Sequence, residues 1–249
     1  MRIDVYLTKN GLATSRTEAK AMVEMGAVYI DGKSVTKPSY DVTSESARVE
    51  IVGYSKKYVS RGGFKLECAI KNFDFEIEGR LAIDVGASSG GFTDCLLQNG
   101  ALRVAAIDSG TAQLVEALRL DQRVFVMENY NARYLSREDL PFVPNLAVMD
   151  VSFISATYIL PAVYEVLSDE SDFICLIKPQ FEVGKSNLGK GGIVKDEKTR
   201  LMALKKVTDF AQTCGFITVN TVISDVVGGD GNIEYLAHFK KTAGNGEYK

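Results

Sequence analysis

Asp84-Val85-Gly86-Ala87-Ser88-Ser89-Gly90-Gly91-Phe92 joins an acidic residue to closely spaced glycines where an apolar run gives way to a helical pattern. Glycines in such a place let backbone approach a ligand that a Cβ would hold off. The spacing from Gly86 to Gly90 and Gly91 differs from G-x-G-x-x-G, whose glycines bring the chain onto a pyrophosphate, so a nicotinamide dinucleotide is disfavoured. A tight strand-to-helix turn without a ligand gives a similar pattern. Asp108 ends the next apolar run. An acid there can accept hydrogen bonds from both hydroxyls of a ribose. Asn131, just after the third run, suits either a neighbour of the adenine or a plain turn residue.

Two charged residues end later runs: Asp150 in Val148-Met149-Asp150-Val151-Ser152-Phe153 and Lys178 in Leu176-Ile177-Lys178-Pro179-Gln180-Phe181. Ligands of open α/β sheets bind outside the carboxyl ends of the strands, so this pair should converge beside the glycine loop. Taken alone, the pair fits a structural ion pair as well as a catalytic one. Lys65, in the helix that opens this region, and Glu234, after Gly228-Gly229-Asp230-Gly231-Asn232, extend it to an ordered Lys, Asp, Lys, Glu set. Two amines and two carboxylates near a nucleoside can move a proton and stabilise developing charge.

These residues need a scaffold, and apolar runs alternate with helical patterns to supply one. Leu81 to Val85, Leu102 to Ile107, Val124 to Met127, Leu146 to Met149 and Phe173 to Ile177 read as strands of a parallel sheet. Ile217 to Ile223 and Ile233 to Phe239 are joined by a Gly-rich loop instead of a helix, so they should pair antiparallel at one edge. A helix is expected after Arg61-Gly62-Gly63, with Phe64, Leu66, Ala69, Ile70 and Phe73 near helical spacing. The front of the chain reads as a separate α-plus-β unit. A helical stretch runs to Asn10, Ser15 caps a helix from Arg16 to Met25, and Val28-Tyr29-Ile30 and Arg48 to Ile51 are short strands, with Asp31-Gly32 as a turn. Gly53 to Ser60 reads as a connector.

The length, 249 residues, allows one large domain and a small one, and 46% hydrophobic with 24% charged residues predicts folding nearly throughout. The net charge of −3 averages two unlike parts. Up to Asn72 there are 12 lysines and arginines against 8 acids, and beyond it 17 against 24. The positive front can attract phosphate, although an ordinary solvated surface has the same balance. Cys68, Cys95, Cys175 and Cys214 form no C-x-x-C pair and His238 is the single histidine, so no metal site is expected. The thiols read as buried in a reducing cytoplasm. No apolar run is long enough to span a bilayer, the best, Leu146 to Leu167, being broken by Asp150 and Pro161.

An acid at a strand end followed by G-x-x-x-G resembles the first motif of class I methyltransferases, which bind S-adenosylmethionine. The tetrad Lys65, Asp150, Lys178, Glu234 resembles that of ribose 2'-O-methyltransferases of the FtsJ superfamily. Within it, Val59 to Leu66, Asp84 to Thr93, Ser152-Phe153-Ile154-Ser155, Lys178 to Lys185 and Gly231-Asn232-Ile233-Glu234-Tyr235 are similar to the TlyA-type ribosomal RNA methyltransferases, also called the hemolysin A family. That family carries an S4-like front domain, matched here by Arg2-Ile3-Asp4, Ser15-Arg16 with Ala19, Gly26 to Gly32, and Val35-Thr36-Lys37-Pro38. The connector departs from some relatives, which place Trp where this chain has Tyr58.

The resemblance implies an α/β fold: a Rossmann-like class I methyltransferase sheet, mostly parallel with an antiparallel edge strand, behind a small N-terminal α+β S4-like domain. Expected boundaries are 1–58 for the front domain and connector, 59–242 for the methyltransferase domain, and 243–249 for a flexible tail. It implies a cytoplasmic enzyme that transfers methyl from S-adenosylmethionine to a ribose 2'-hydroxyl, of cytidine, in ribosomal RNA or ribosomal subunits. Asp84, Gly86, Ala87, Ser88, Gly90, Gly91, Phe92, Asp108 and Asn131 would hold the cofactor. Arg2, Arg16, Lys20, Lys33 and Lys37 would hold RNA phosphates. Lys178 is either the base, which requires its neutral amine, or a cation that stabilises the alkoxide while Asp150 orients it. Three other readings compete: an NAD-linked oxidoreductase, which the glycine spacing opposes; a membrane-active hemolysin, which the lack of a spanning run opposes; and a non-catalytic RNA-binding or assembly factor, which the complete tetrad opposes.

Overall fold

The computed structural model describes residues 1–44, 47–52, 57–228 and 231–243. Residues 53–56 of the expected connector, 229–230 of the Gly-rich loop and 244–249 of the expected tail lie outside that set. The chain packs as two units, Met1–Arg61 and Gly62–Lys249.

In the first unit, α1 (Ile3–Lys9) and α2 (Arg16–Glu24) pack on a three-stranded antiparallel sheet of order β2-β1-β3, formed by β1 (Val28–Ile30), β2 (Lys33–Val35) and β3 (Val49–Ile51). Ser15 caps α2, its hydroxyl accepting from the Glu18 amide at 3.1 Å, an interaction worth about 1 kcal/mol. Ile3, Leu7, Ala19, Val23 and Val28 form the fully buried centre. β2 has no apolar alternation, with Lys33 and Ser34 exposed. Its pairing with β1 across Asp31-Gly32 is what makes it a strand.

The second unit opens with α3 (Gly62–Asn72) and continues through β4 (Leu81–Val85), α4 (Gly91–Gln98), β5 (Arg103–Ile107), α5 (Glu116–Arg119), β6 (Val124–Met127), β7 (Leu146–Met149), α6 (Leu160–Val166), β8 (Ser171–Ile177), α7 (Pro179–Glu182), α8 (Glu197–Thr213), β9 (Ile217–Ile223) and β10 (Tyr235–Lys241). The sheet order is β6-β5-β4-β7-β8-β10-β9. β4 to β8 run parallel, and β10 is antiparallel to both β8 and β9. The reversed strand therefore lies one place in from the edge, and β9 takes the edge itself. Order reverses at β4, which sends β5 and β6 to one side and β7 and β8 to the other. That switch point opens a crevice at the carboxyl ends of the strands.

β8 starts two residues before its apolar run because Asp172 is buried on a polar cluster. Its carboxylate meets His238 Nε2 at 2.7 Å and Arg80 Nη2 at 3.2 Å. β10 starts at Tyr235, not Ile233. The Glu234 carbonyl instead accepts from the Ser224 amide at 2.9 Å, closing the turn out of β9.

Candidate functional site

The glycine loop leaves β4 as a chain reversal that L side chains oppose. Gly86 sits at φ +86° and Gly90 at φ +97°. A Cβ on Gly86 would collide with the Asp150 carbonyl oxygen, and one on Gly90 with Leu118 Cδ1. Gly86 is thus needed for the close approach of two strand ends, since Val85 pairs with Met149 and the next residues are Gly86 and Asp150. The Gly86 and Ala87 amides both donate to the Ile107 carbonyl, at 2.8 and 3.1 Å. A cavity of about 470 Å³ opens beside this loop, lined by Gly86, Ser88, Asp108, Asn131, Asp150 and Ser152 among others.

Asp84 stands beneath the loop, 1% exposed. Its Oδ2 accepts from Thr93 Oγ1 at 2.6 Å, and among the described residues its Oδ1 has no hydrogen-bond partner. Burial pushes the carboxyl up to about 7. The Thr93 hydrogen bonds oppose that rise, and the charges of Asp150 and Asp108 reinforce it. An orphaned acid oxygen that ionises at a cost suits a neighbouring cation. Asp108 faces the cavity with both oxygens in use, accepting from the Ser88 and Gly110 amides at 2.7 Å each. A carboxylate oxygen can accept more than one hydrogen bond, so capacity for two ribose hydroxyls remains. Exposed Asn131 lines the cavity while its Oδ1 caps the turn at Ala132–Tyr134, accepting from the Arg133 amide at 3.2 Å. Asp84, Ala87, Gly90, Gly91 and Phe92 are buried and do not line the cavity.

The four charged heads come together. Lys178 Nζ lies 2.5 Å from Asp150 Oδ1, Lys65 Nζ 4.0 Å from Asp150 Oδ2, and Lys65 Nζ 2.6 Å from Glu234 Oε2. Charges alternate along this row, so each amine, buried in Lys65 and partly buried in Lys178, faces a carboxylate. Sheet register accounts for it: Tyr235 pairs with Ile177, which brings Glu234 level with Lys178 at the same strand ends. Lys65 reaches in from the first turn of α3, where it is 8% exposed.

Three partners were not singled out from the sequence. Thr93 on α4 holds Asp84; a hydroxyl in the first turn of the helix after an acid-ended strand is the signal that could have found it. Ser152 Oγ accepts from Lys178 Nζ at 2.8 Å. Glu182 on α7, 7% exposed, accepts from the Ala156 amide at 2.7 Å and from Ser155 Oγ at 2.5 Å, tying the segment after β7 to the segment after β8. Phe153, 91% exposed at φ +66°, packs on Phe181 with ring centroids 5.3 Å apart.

In the first unit, fully buried Asp4 binds Arg2 Nε at 3.0 Å and Arg16 Nη2 at 2.9 Å. Burial alone would raise this carboxyl, but hydrogen bonds from Arg16 and Arg2 outweigh it and leave it lowered. Two of the five expected phosphate-binding residues are thus anchored on a common acid, with their side chains still about half exposed. Lys20, Lys33 and Lys37 are exposed.

A family model described as FtsJ-like methyltransferase matches residues 58–241, and one described as S4 domain matches residues 1–49. The chain is 42% identical over 240 residues to hemolysin A of Brachyspira hyodysenteriae, covering 96% of this chain and 99% of that one. It is 41% identical over 235 residues to the 16S/23S rRNA (cytidine-2'-O)-methyltransferase TlyA of Mycobacterium tuberculosis, covering 94% of this chain and 88% of that one. A solved structure from Streptococcus thermophilus that carries the hemolysin name superposes with a TM-score of 0.78 at 44% identity, covering 97% of this chain and 88% of that one.

Proposed function

The chain belongs to the FtsJ-like methyltransferase family, and on that premise we propose that it transfers a methyl group from S-adenosylmethionine to the 2'-hydroxyl of a cytidine in ribosomal RNA. The observation that carries the reading is the row Lys178, Asp150, Lys65, Glu234 beside a cavity with nucleoside-binding features. The cavity's size falls within the range of small-molecule sites. Gly86, Ser88, Asp108 and Asn131 would hold the cofactor there, with buried Asp84 supplying negative charge from beneath the loop and Ala87, Gly90, Gly91 and Phe92 shaping the loop from behind. When bound, the cofactor supplies an electrophilic methyl on a sulfonium.

Lys178 meets the ribose hydroxyl. Its ammonium is ion-paired with Asp150 and donates one N–H to Ser152 Oγ, which leaves donor capacity for the hydroxyl oxygen. The alkoxide then develops against a fixed positive charge, and Asp150 is the carboxylate within reach of the released proton. Lys65 and Glu234 hold Asp150 and its neighbour in register, so the acceptor oxygen can be set in line with the methyl.

The boundary between the S4-like unit and the catalytic unit falls near residue 58. In the front unit Lys20, Lys33 and Lys37, with Arg2 and Arg16 anchored on Asp4, grip RNA phosphates and so set the catalytic unit on its target. Among the described residues no helix is long and apolar enough to cross a membrane.

The experiment is methyl transfer from radiolabelled S-adenosylmethionine to ribosomal RNA isolated from cells lacking this protein. Label in alkali-resistant dinucleotides with cytidine at the resistant position is the expected result, because a 2'-O-methyl blocks cleavage. Label on bases, or none, refutes the assignment.

A further inference from the structure

We propose that Arg133, Tyr134 and Tyr158 form a stacking platform for an unpaired nucleobase next to the methylated nucleotide, an inference that rests on the RNA-modifying function above. Arg133 is exposed, and its Cζ lies 5.0 Å from the Tyr158 ring centroid and 5.9 Å from that of Tyr134. The two rings are themselves largely in solvent, Tyr134 72% and Tyr158 59% exposed. Among the described residues no carboxylate lies within 4.0 Å of the Arg133 guanidinium, whereas Arg2, Arg16, Arg80, Arg119 and Arg123 each have one. A guanidinium held beside two exposed aromatic rings, with no carboxylate to neutralise it, offers both positive charge and stacking surface to a π-faced polyanion.

Position favours RNA as the occupant. Tyr130, Asn131 and Ala132, just before Arg133, line the cavity, and so do Ile154 and Ile159, which flank the turn bearing Tyr158. The platform is therefore the rim of the proposed nucleoside pocket at the carboxyl ends of β6 and β7. A strand that delivers one ribose to Lys178 must lay its neighbouring nucleotides over that rim. Unstacked bases of single-stranded RNA are held by aromatic rings and arginine planes. The supporting backbone is fixed on both sides: Asn131 caps one turn, and Glu182 holds the Ala156 amide at the start of the other.

The test uses the full chain and a short single-stranded oligocytidylate carrying one 2-aminopurine, whose fluorescence is quenched by stacking. Wild type should quench the probe on binding. The double variant Tyr134→Ala/Tyr158→Ala should lose the quench and bind the RNA at least about fivefold more weakly. Arg133→Ala should weaken RNA binding in the same direction, and Tyr134→Phe/Tyr158→Phe, which keeps both rings, should quench like wild type. Affinity for S-adenosylmethionine should be unchanged in all of them. RNA affinity and quench equal to wild type in the alanine variants overturn the platform. So does a loss of cofactor affinity as large as the loss for RNA, which would assign the cluster to the cofactor pocket. A wild-type protein that transfers no methyl to RNA refutes the function instead, whatever these variants do.

Discussion

Replacing Asp84 by Asn should stabilise the ligand-free protein above neutral pH and cost it the cofactor. The carboxyl is raised from 3.8 to about 7, mainly by burial. Folding therefore takes up a proton as the pH passes through that window. The sign follows: the folded state is best placed below the unfolded pKa, and stability is lost as pH rises toward 7. Three units at 1.36 kcal/mol each put the cost of ionised Asp84 on the order of 4 kcal/mol above pH 7. Asn has the same shape, keeps an acceptor for Thr93 and never ionises. The stability difference between variant and wild type should be several kcal/mol at pH 8 and shrink to near zero below pH 4. Urea denaturation across that range reads it directly, and the subtraction removes other titrating groups. Calorimetry should find wild-type affinity for S-adenosylmethionine rising with pH as Asp84 ionises to meet a cation, and a weak, flat profile in the variant. A stability difference independent of pH would falsify the reasoning.

Gly86→Ala places a Cβ against the Asp150 carbonyl oxygen at φ +86°. It should destabilise by at least about 1–3 kcal/mol and abolish the cofactor-induced rise in melting temperature. Glu182→Gln turns one acceptor into a donor, facing either the Ala156 amide or Ser155 and Lys206. A loss of about 1–3 kcal/mol in denaturation, with kcat reduced more than cofactor affinity, is the expected outcome. Replacing Lys20, Lys33 and Lys37 together by Ala should lower the slope of log binding constant against log salt by about 0.7–0.9 for each phosphate that these lysines neutralise; filter binding to ribosomal RNA over a salt series measures it.

Local pattern carried much of this architecture. Each buried parallel strand is an apolar run that ends at a turn, and the ends of those runs are where Asp84, Asp108, Asp150 and Lys178 stand. The glycines at 86 and 90 were legible because a positive φ and a close approach leave few other choices. Lys65 and Glu234 were legible through family resemblance, since nothing local says that residues 169 positions apart will touch. What stayed hidden depends on tertiary structure. β2 has no alternation of its own and exists through its hairpin partner. Asp172 extends β8 inward because His238 and Arg80 meet it there, which no apolar count anticipates. Asp4 shares the Arg2 and Arg16 charges through the core of the front unit, so a tally of exposed cations overstates what is free for phosphate.

The row of four charges is the centre of the account, and Lys178→Ala tests it most directly. Single-turnover methyl transfer to ribosomal RNA should vanish in the variant while calorimetric affinity for S-adenosylmethionine stays near wild type. Transfer at the wild-type rate with Lys178 gone would contradict the proposed chemistry.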